Sequence, residues 1–483
     1  MKFLSTRGKS STNSSYEAIL KGLADDGGLY VPEELGKIDI TEEEISKYEY
    51  TDYAKKVISF IFDDMNEESL FHEIDEAYKT FSPEILPIKK LEDIYIMELF
   101  HGQTYAFKDF AMSLLPRLVS LSLKEQKIDK KILILTATSG DTGSAALYGF
   151  KNIENTQIIV FYPTKGISEI QRKQMVTIDG ENTYAVAVKG NFDDAQSALK
   201  EIFNDSEFKK YLEDKDYLLS SANSINIGRL VPQIVYYFYS YYDLVKKDEI
   251  KKGEEVSVSV PTGNFGNILA AYMAKRMGLP IKDLICGSNK NNILTDFINT
   301  GTYDVNRQFY TTNSPSMDIL ISSNLERFLY YEFDKDTEYI NTLMKDLKSE
   351  GKYLVDKNKI NGIYGYCYDD EETLEEIVAV YEKFGYLVDT HSAIAMKSAE
   401  DYIKGHGGKV IAAATASPFK FAPSIAKALS IEYEDEISAI DAIEDKTGIK
   451  ADNNFKNILR KKVTQEREIE KDNIKNVIKE ILF

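Results

Sequence analysis

Hydrophobic positions along this chain change their rhythm twice. Up to about residue 95 they recur at helical spacing. Apolar residues at i, i+3 and i+4 run through 16–24 and stop at Asp-Asp-Gly-Gly, and further amphipathic stretches cover 51–62 and 67–79, with Pro83 and Pro87 marking the exit. From about Ile94, short β-branched runs at 132–136, 157–162, 184–188, 256–260, 284–287 and Val410–Ala414 alternate with longer segments of 3.6 periodicity. Strands followed by helices predict parallel sheets with crossover helices. The runs are almost continuously apolar, which predicts burial on both faces. The Tyr- and Phe-dense run 234–244 reads as a packed helix. From about residue 431 Glu, Lys and Ile dominate, and Ile474, Val477, Ile478, Ile481 and Leu482 share one face of a terminal helix. The expected organisation is a helical unit over 1–95, an α/β region over 96–430 and a helical tail over 431–483.

At 483 residues the chain is long enough for about three structural units and a cleft between them. Its formal net charge of −19 disfavours a nucleic-acid partner, and no apolar run approaches membrane-spanning length. The two cysteines, Cys286 and Cys367, are too few for a disulfide framework, and the first residues lack an apolar signal region; a reducing cytoplasm is the expected location. Four histidines in no ligand-like spacing give little support to a metal site.

Four segments place small or hydroxyl residues where strands should end, which is where ligands sit in open parallel sheets. The first, Pro-Thr-Gly-Asn-Phe-Gly-Asn at 261–267, lies between a strand and the helical run 268–276. Glycines and a helix N-terminus can cradle a phosphate through backbone amides; a tight turn is the plain alternative. A second junction contains Ser139, Gly140, Asp141 and Thr142. It suits a substrate carboxylate or, equally, an ordinary helix cap. In the third, Lys108 stands between Phe107 and Asp109-Phe110 at the start of a predicted helix over 109–119. Burial there would lower its pKa and leave a nucleophilic amine, although most lysines lie on surfaces. In the fourth, Thr415 follows a strand and precedes Ala416-Ser417-Pro418, which is either a hydroxyl for a ring nitrogen or a Ser-Pro turn.

Taken together and in order, Phe-Lys-Asp-Phe at 107–110, Ala-Thr-Ser-Gly-Asp-Thr-Gly at 137–143, the 261–267 loop and Thr-Ala-Ser-Pro-Phe-Lys-Phe at 415–421 resemble the threonine synthase family. Segments 5–8, 22–32, 223–226 and 314–328 are similar to the same family, so the resemblance runs from residue 5 to about 425. Gln103, Tyr105 and Ser417 depart from the family's usual residues.

The resemblance implies an α/β protein of the tryptophan-synthase-β-like architecture (fold type II), with two open parallel-sheet domains behind an N-terminal helical domain. The smaller α/β subdomain would occupy roughly 105–220. It also implies pyridoxal 5'-phosphate carried by Lys108. The cofactor's phosphate would rest on Gly263, Asn264, Phe265, Gly266 and Asn267, and Thr415 would face its ring nitrogen. The substrate would be O-phospho-L-homoserine, its carboxylate in the 139–142 loop and its phosphate near Ser224, Asn226 and Arg229, with Lys165 or Arg172 as further candidates. Lys108 would carry protons, the product would be threonine, and the protein would act as a monomer or homodimer. Two other readings stay open: a dehydratase of unphosphorylated hydroxy amino acids, and a catalytically silent ligand-binding relative.

Overall fold

The six strongly apolar runs all form strands, and they divide between two parallel sheets in a computed structural model that describes residues 1–138 and 140–483, apart from the side chain of Asp193. One sheet has six strands in the order Ile363–Cys367, Ile281–Ser288, Val256–Pro261, Val410–Ala414, Ile94–Glu98 and Ile88–Leu91. It is parallel except for the edge strand Ile88–Leu91. The other has five parallel strands in the order Arg467–Ile469, Thr183–Val188, Thr156–Pro163, Lys131–Ala137 and Tyr217–Ser220. Every residue of Val256–Pro261 and of Val410–Ala414 is buried, as expected of strands covered by helices on both faces.

The N-terminal segment is not purely helical. Phe3–Ser5, Ser11–Thr12 and Tyr30–Pro32 form a small antiparallel sheet ahead of the helices Tyr50–Ile61 and Glu67–Tyr78. The expectation of a helical tail also needs correction. Arg467–Ile469 joins the edge of the five-stranded sheet beside Thr183–Val188, and only then does the helix Ile474–Leu482 bury Ile474, Val477 and Ile478. The aromatic-rich run lies in the long helix Ile227–Lys246, whose Tyr236, Tyr237, Phe238 and Tyr241 are buried in the main core.

Chain connection brings the two sheets to one place. The isolated bridge between Ala106 and Ala416 is flanked by two backbone bonds, Phe107 N–H to the Thr415 carbonyl (2.8 Å) and Ser417 N–H to the Tyr105 carbonyl (3.0 Å). This clamps the start of the helix Lys108–Glu125 onto the end of a central strand of the six-stranded sheet.

Candidate active site

A cavity of about 730 Å³ opens beside that clamp, walled by Lys108, the residues of the 261–267 loop, Asp141, Thr142, Ser316 and Thr415 among others. Three helices begin on its walls: Lys108–Glu125, Asp141–Phe150 and Gly266–Arg276. At Lys108–Glu125 the first amides are taken by backbone, Asp109 N–H by the Ala106 carbonyl and Phe110 N–H by the Phe107 carbonyl, and at Asp141–Phe150 the Thr138 hydroxyl caps Gly143 N–H at 2.9 Å. Gly266–Arg276 has no side-chain cap, and its orphan N–H groups face the cavity for a ligand or water. The helix Ile227–Lys246 begins nearby in the ordinary way, with the Asn226 side chain accepting from Gly228 N–H at 2.9 Å.

The glycine loop is shaped for close approach. A Cβ on Gly263 would lie 2.8 Å from the Ser316 carbonyl oxygen and 3.2 Å from the Met317 Cα, so backbone passes where any side chain would need to be. Phe265 is held in the left-handed region at φ 61°, a strained conformation for an aromatic residue. Asn267 is buried; its Oδ1 is engaged by the Tyr237 hydroxyl, while its Nδ2 has no partner among the described residues. An unpaired buried amide at a cavity wall is a donor waiting for an acceptor.

Opposite this uncharged loop is a dense charge cluster. Lys108 Nζ lies 3.2 Å from Asp141 Oδ2 and donates to Ser316 Oγ at 3.3 Å; Ser316 Oγ in turn donates to the same carboxylate oxygen at 2.9 Å. The second oxygen of Asp141 accepts from Gln171 Nε2 at 3.0 Å and pairs with the fully buried Lys420 at 3.1 Å. Burial lowers the Lys108 pKa; Asp141 opposes the shift, while Lys420 and Arg229 add to it. Burial alone would raise the Asp141 carboxyl, but the ammonium groups of Lys420 and Lys108 hold it well below the usual carboxylate range. A buried amine shifted toward its neutral form beside an ionised acid is suited to nucleophilic attack on a carbonyl and to proton transfer.

His391, itself on the cavity wall, braces Ser316. Its Nε2 accepts the Ser316 N–H at 3.2 Å and its Nδ1 lies 2.8 Å from Asp389, which places the ring proton on Nδ1. Asp389 also receives the Ser392 hydroxyl, whose oxygen accepts from Thr415 N–H at 3.0 Å. The Thr415 backbone is thus fixed on both sides.

Residues 2–78 match the family model described as "Threonine synthase N terminus", and residues 81–415 match "Pyridoxal-phosphate dependent enzyme". The chain belongs to the threonine synthase family. It is 37% identical to "Threonine synthase" of Saccharomyces cerevisiae, covering 89% of each chain. To "Threonine synthase-like 1" of Homo sapiens it is 40% identical over 88% of its own length, but it spans only 59% of that relative. The crystal structure of "PLP bound Threonine synthase from Brucella melitensis" superposes with a TM-score of 0.88 at 35% identity, covering 100% of this chain and 98% of the other.

Within this threonine synthase framework most of the expected residues converge. Lys108, Gly263, Asn264, Phe265, Gly266, Asn267, Thr415, Asp141, Thr142, Ser224 and Arg229 all line the cavity. Ser139 lies outside the described residues. Two expectations are corrected. Asn226 is not on the wall: its Oδ1 caps a helix and its Nδ2 donates to the Ile19 carbonyl at 2.9 Å, so neither end is left for a substrate. Gly140 is not on the wall either, and its amide donates to Thr138 Oγ1 at 3.0 Å. Arg172 is paired with Glu169 on its own helix, and Lys165 is exposed away from the cavity.

Lys420 and Ser316 stand inside the segments 415–421 and 314–328 that carry the resemblance, but their place in the site, like that of His391 and Gln171, follows only from long-range contacts with Asp141, Lys108 and each other. The departures from the family pattern point away from the cavity. Gln103 donates to the Thr80 carbonyl, the Tyr105 hydroxyl to Asp452, and Ser417 lies behind the wall.

Proposed function

We propose that this chain carries out the threonine synthase reaction with pyridoxal phosphate, turning O-phospho-L-homoserine and water into L-threonine and inorganic phosphate. The observation that carries the reading is the buried Lys108 amine, shifted toward neutrality, on the wall of a cavity onto which the uncapped start of the helix Gly266–Arg276 opens. Membership of the family supports it.

The residues present fit the cofactor. Lys108 would join its aldehyde, the amides of Gly263 to Asn267 would take its phosphate, and the free Nδ2 of Asn267 would meet an acceptor. The Thr415 hydroxyl would face the ring nitrogen. When bound, pyridoxal phosphate supplies the electron sink that lets bonds at the substrate's Cα, Cβ and Cγ break and form.

The chain's own residues orient the substrate and move protons. Lys108 is tethered within reach of Cα and Cβ and serves as the proton carrier for both. The Cγ–O bond breaks with release of phosphate, Cγ gains a proton and water oxygen adds at Cβ. The substrate phosphate would meet Arg229, Ser224, Asn223 and Lys200. Arg229 is buried at the wall, with its only side-chain bond among the described residues going to the Ala222 carbonyl at 2.7 Å, and burial pushes its pKa down to about 10. Its remaining N–H donors suit a dianion. The substrate carboxylate would take the Thr142 hydroxyl and the amides at the start of that helix, because the Asp141 side chain is itself anionic. Phe107, Phe265 and Met317 line the cavity and limit water.

No helix among the described residues is long and apolar enough to cross a membrane. Together with the free Cys286 and Cys367, this supports a reducing, cytoplasmic setting. The small-molecule substrate is the partner this reading requires, met by a monomer or homodimer. Incubation of the protein and pyridoxal phosphate with O-phospho-L-homoserine is expected to release phosphate and L-threonine in equal amounts. Formation of a 2-oxo acid from threonine or serine, with no phosphate release, would replace this reading with a dehydratase.

A further inference from the structure

Two buried lysines meet one buried carboxylate, and the reaction accounts for only one of them. Lys420 lies in the short turn Pro418–Phe421 and has no exposed side-chain surface. Its Nζ bonds the Thr104 carbonyl at 2.8 Å and pairs with Asp141 Oδ1 at 3.1 Å. Gln174 donates to the same carbonyl at 3.0 Å, and the Thr104 backbone and hydroxyl both hold Asp109. Lys420 is not on the cavity wall and touches neither the space for the cofactor nor that for the substrate.

A buried carboxylate with a single cationic partner demands that partner's charge, since losing it would strand an anion in low dielectric. Were Lys108 the only partner, Asp141 would hold its amine protonated and unreactive. With a second, permanently placed ammonium on its other oxygen, Asp141 stays compensated when Lys108 gives up its proton. We propose that Lys420 is a positioning residue for the reaction: it is the standing counter-charge of Asp141, and by satisfying that carboxylate it frees the Lys108 amine to be neutral. The proposal rests on the reading of Lys108 as the reactive amine.

The other charged group acting on Lys108 is Arg229 on the helix Ile227–Lys246; His391 on Thr390–His406 acts on Asp141, and Asp109 faces Lys420 as a second buried carboxyl, with Tyr236 near both Arg229 and Asp109. Arg229 acts in the same direction as Lys420, and burial keeps Asp109 raised. Asp141 is the acid in direct contact with the amine.

Competitive acetic anhydride labelling of the full-length, cofactor-free protein across pH, with Lys108 read by mass spectrometry, tests this without turnover. Lys420→Met is expected to move the Lys108 titration midpoint up by at least about one pH unit, a tenfold gain in proton affinity. Lys420→Arg keeps the cation and should return the midpoint most of the way to wild type. A folded Lys420→Met protein with the wild-type midpoint overturns the proposal.

Should that variant not accumulate folded, Asp141→Asn/Lys420→Met deletes the pair together and leaves no stranded charge. Its midpoint is expected above that of Asp141→Asn alone and within about half a unit of wild type, because the pair it deletes is internally compensated. A double-variant midpoint equal to that of Asp141→Asn alone overturns the proposal equally. Borohydride reduction after adding pyridoxal phosphate separates the two questions. If it fixes no pyridoxyl group at Lys108, the reading of that amine fails whatever the midpoints do.

Discussion

The two strand-to-helix junctions that line the cavity differ in backbone as well as in charge: the residue before the helix is left-handed Phe265 at φ 61° in one and Gly140 at φ 146° in the other. At the first, Val256–Pro261 passes through Gly263 and Phe265 into the helix Gly266–Arg276; at the second, Lys131–Ala137 leads into Asp141–Phe150. Both helix starts carry the partial positive charge of their dipoles, but only the first lacks a side-chain cap; in the second the Thr138 hydroxyl accepts from Gly143 N–H at 2.9 Å. The first has no acidic residue in its opening turn, so it remains a seat for an external anion. The second has its own carboxylate: Asp141 is its first residue, and that anion draws in Lys108 and Lys420. On the proposed reading one helix start would take a phosphate while the other supplies the acid beside Lys108. Backbone conformation, the Thr138 cap and the Asp141 charge together separate them.

Changes at the two junctions should separate these roles. Lys108→Ala is expected to have the largest effect, lowering kcat for phosphohomoserine by about a thousandfold or more and abolishing covalent attachment of the cofactor. Asp141→Asn keeps the shape of the second junction and removes its charge. Steady-state kinetics should show kcat down by about tenfold to a hundredfold with cofactor still bound; loss of cofactor instead would mean that the Asp141 charge is needed to hold the cofactor itself.

Gly263→Ala strikes the first junction, where the new Cβ would meet backbone at 2.8 Å. Equilibrium dialysis is expected to show cofactor affinity weakened by about tenfold, roughly 1.4 kcal/mol. The smallest effect on the site should come from Asn226→Ala, because that side chain serves a helix start which does cap itself. Thermal unfolding should show a loss of about 1–2 kcal/mol with cofactor affinity essentially unchanged.

What could be foreseen follows the same division between local and distant causes. The strands at 132–136 and 256–260 announce themselves because burial on both faces demands unbroken apolar runs. Tyr217–Ser220 and Ile363–Cys367 do not. They are edge strands with partly exposed residues, and Arg467–Ile469 is a strand only because Thr183–Val188 offers it a partner. Tyr30–Pro32 forms its ladder with Phe3–Ser5 across a helix, which no local pattern reveals. In the site, the glycine loop and Lys108 are legible because a helix start and its preceding turn are consecutive residues. The Asp141–Lys420 pair and the Ser316–His391 bond join separate segments and depend on the folded chain. Asn226 misled for the opposite reason: a polar residue ahead of a helix is read alike as ligand or cap, and here it is the cap.

The central claim is that Lys108, and not the still more deeply buried Lys420, is the amine that carries the cofactor. Borohydride reduction of the protein loaded with pyridoxal phosphate, followed by peptide mass mapping, tests it directly. The account predicts a single pyridoxyl group on Lys108; a pyridoxyl group on Lys420, or on neither, would contradict it.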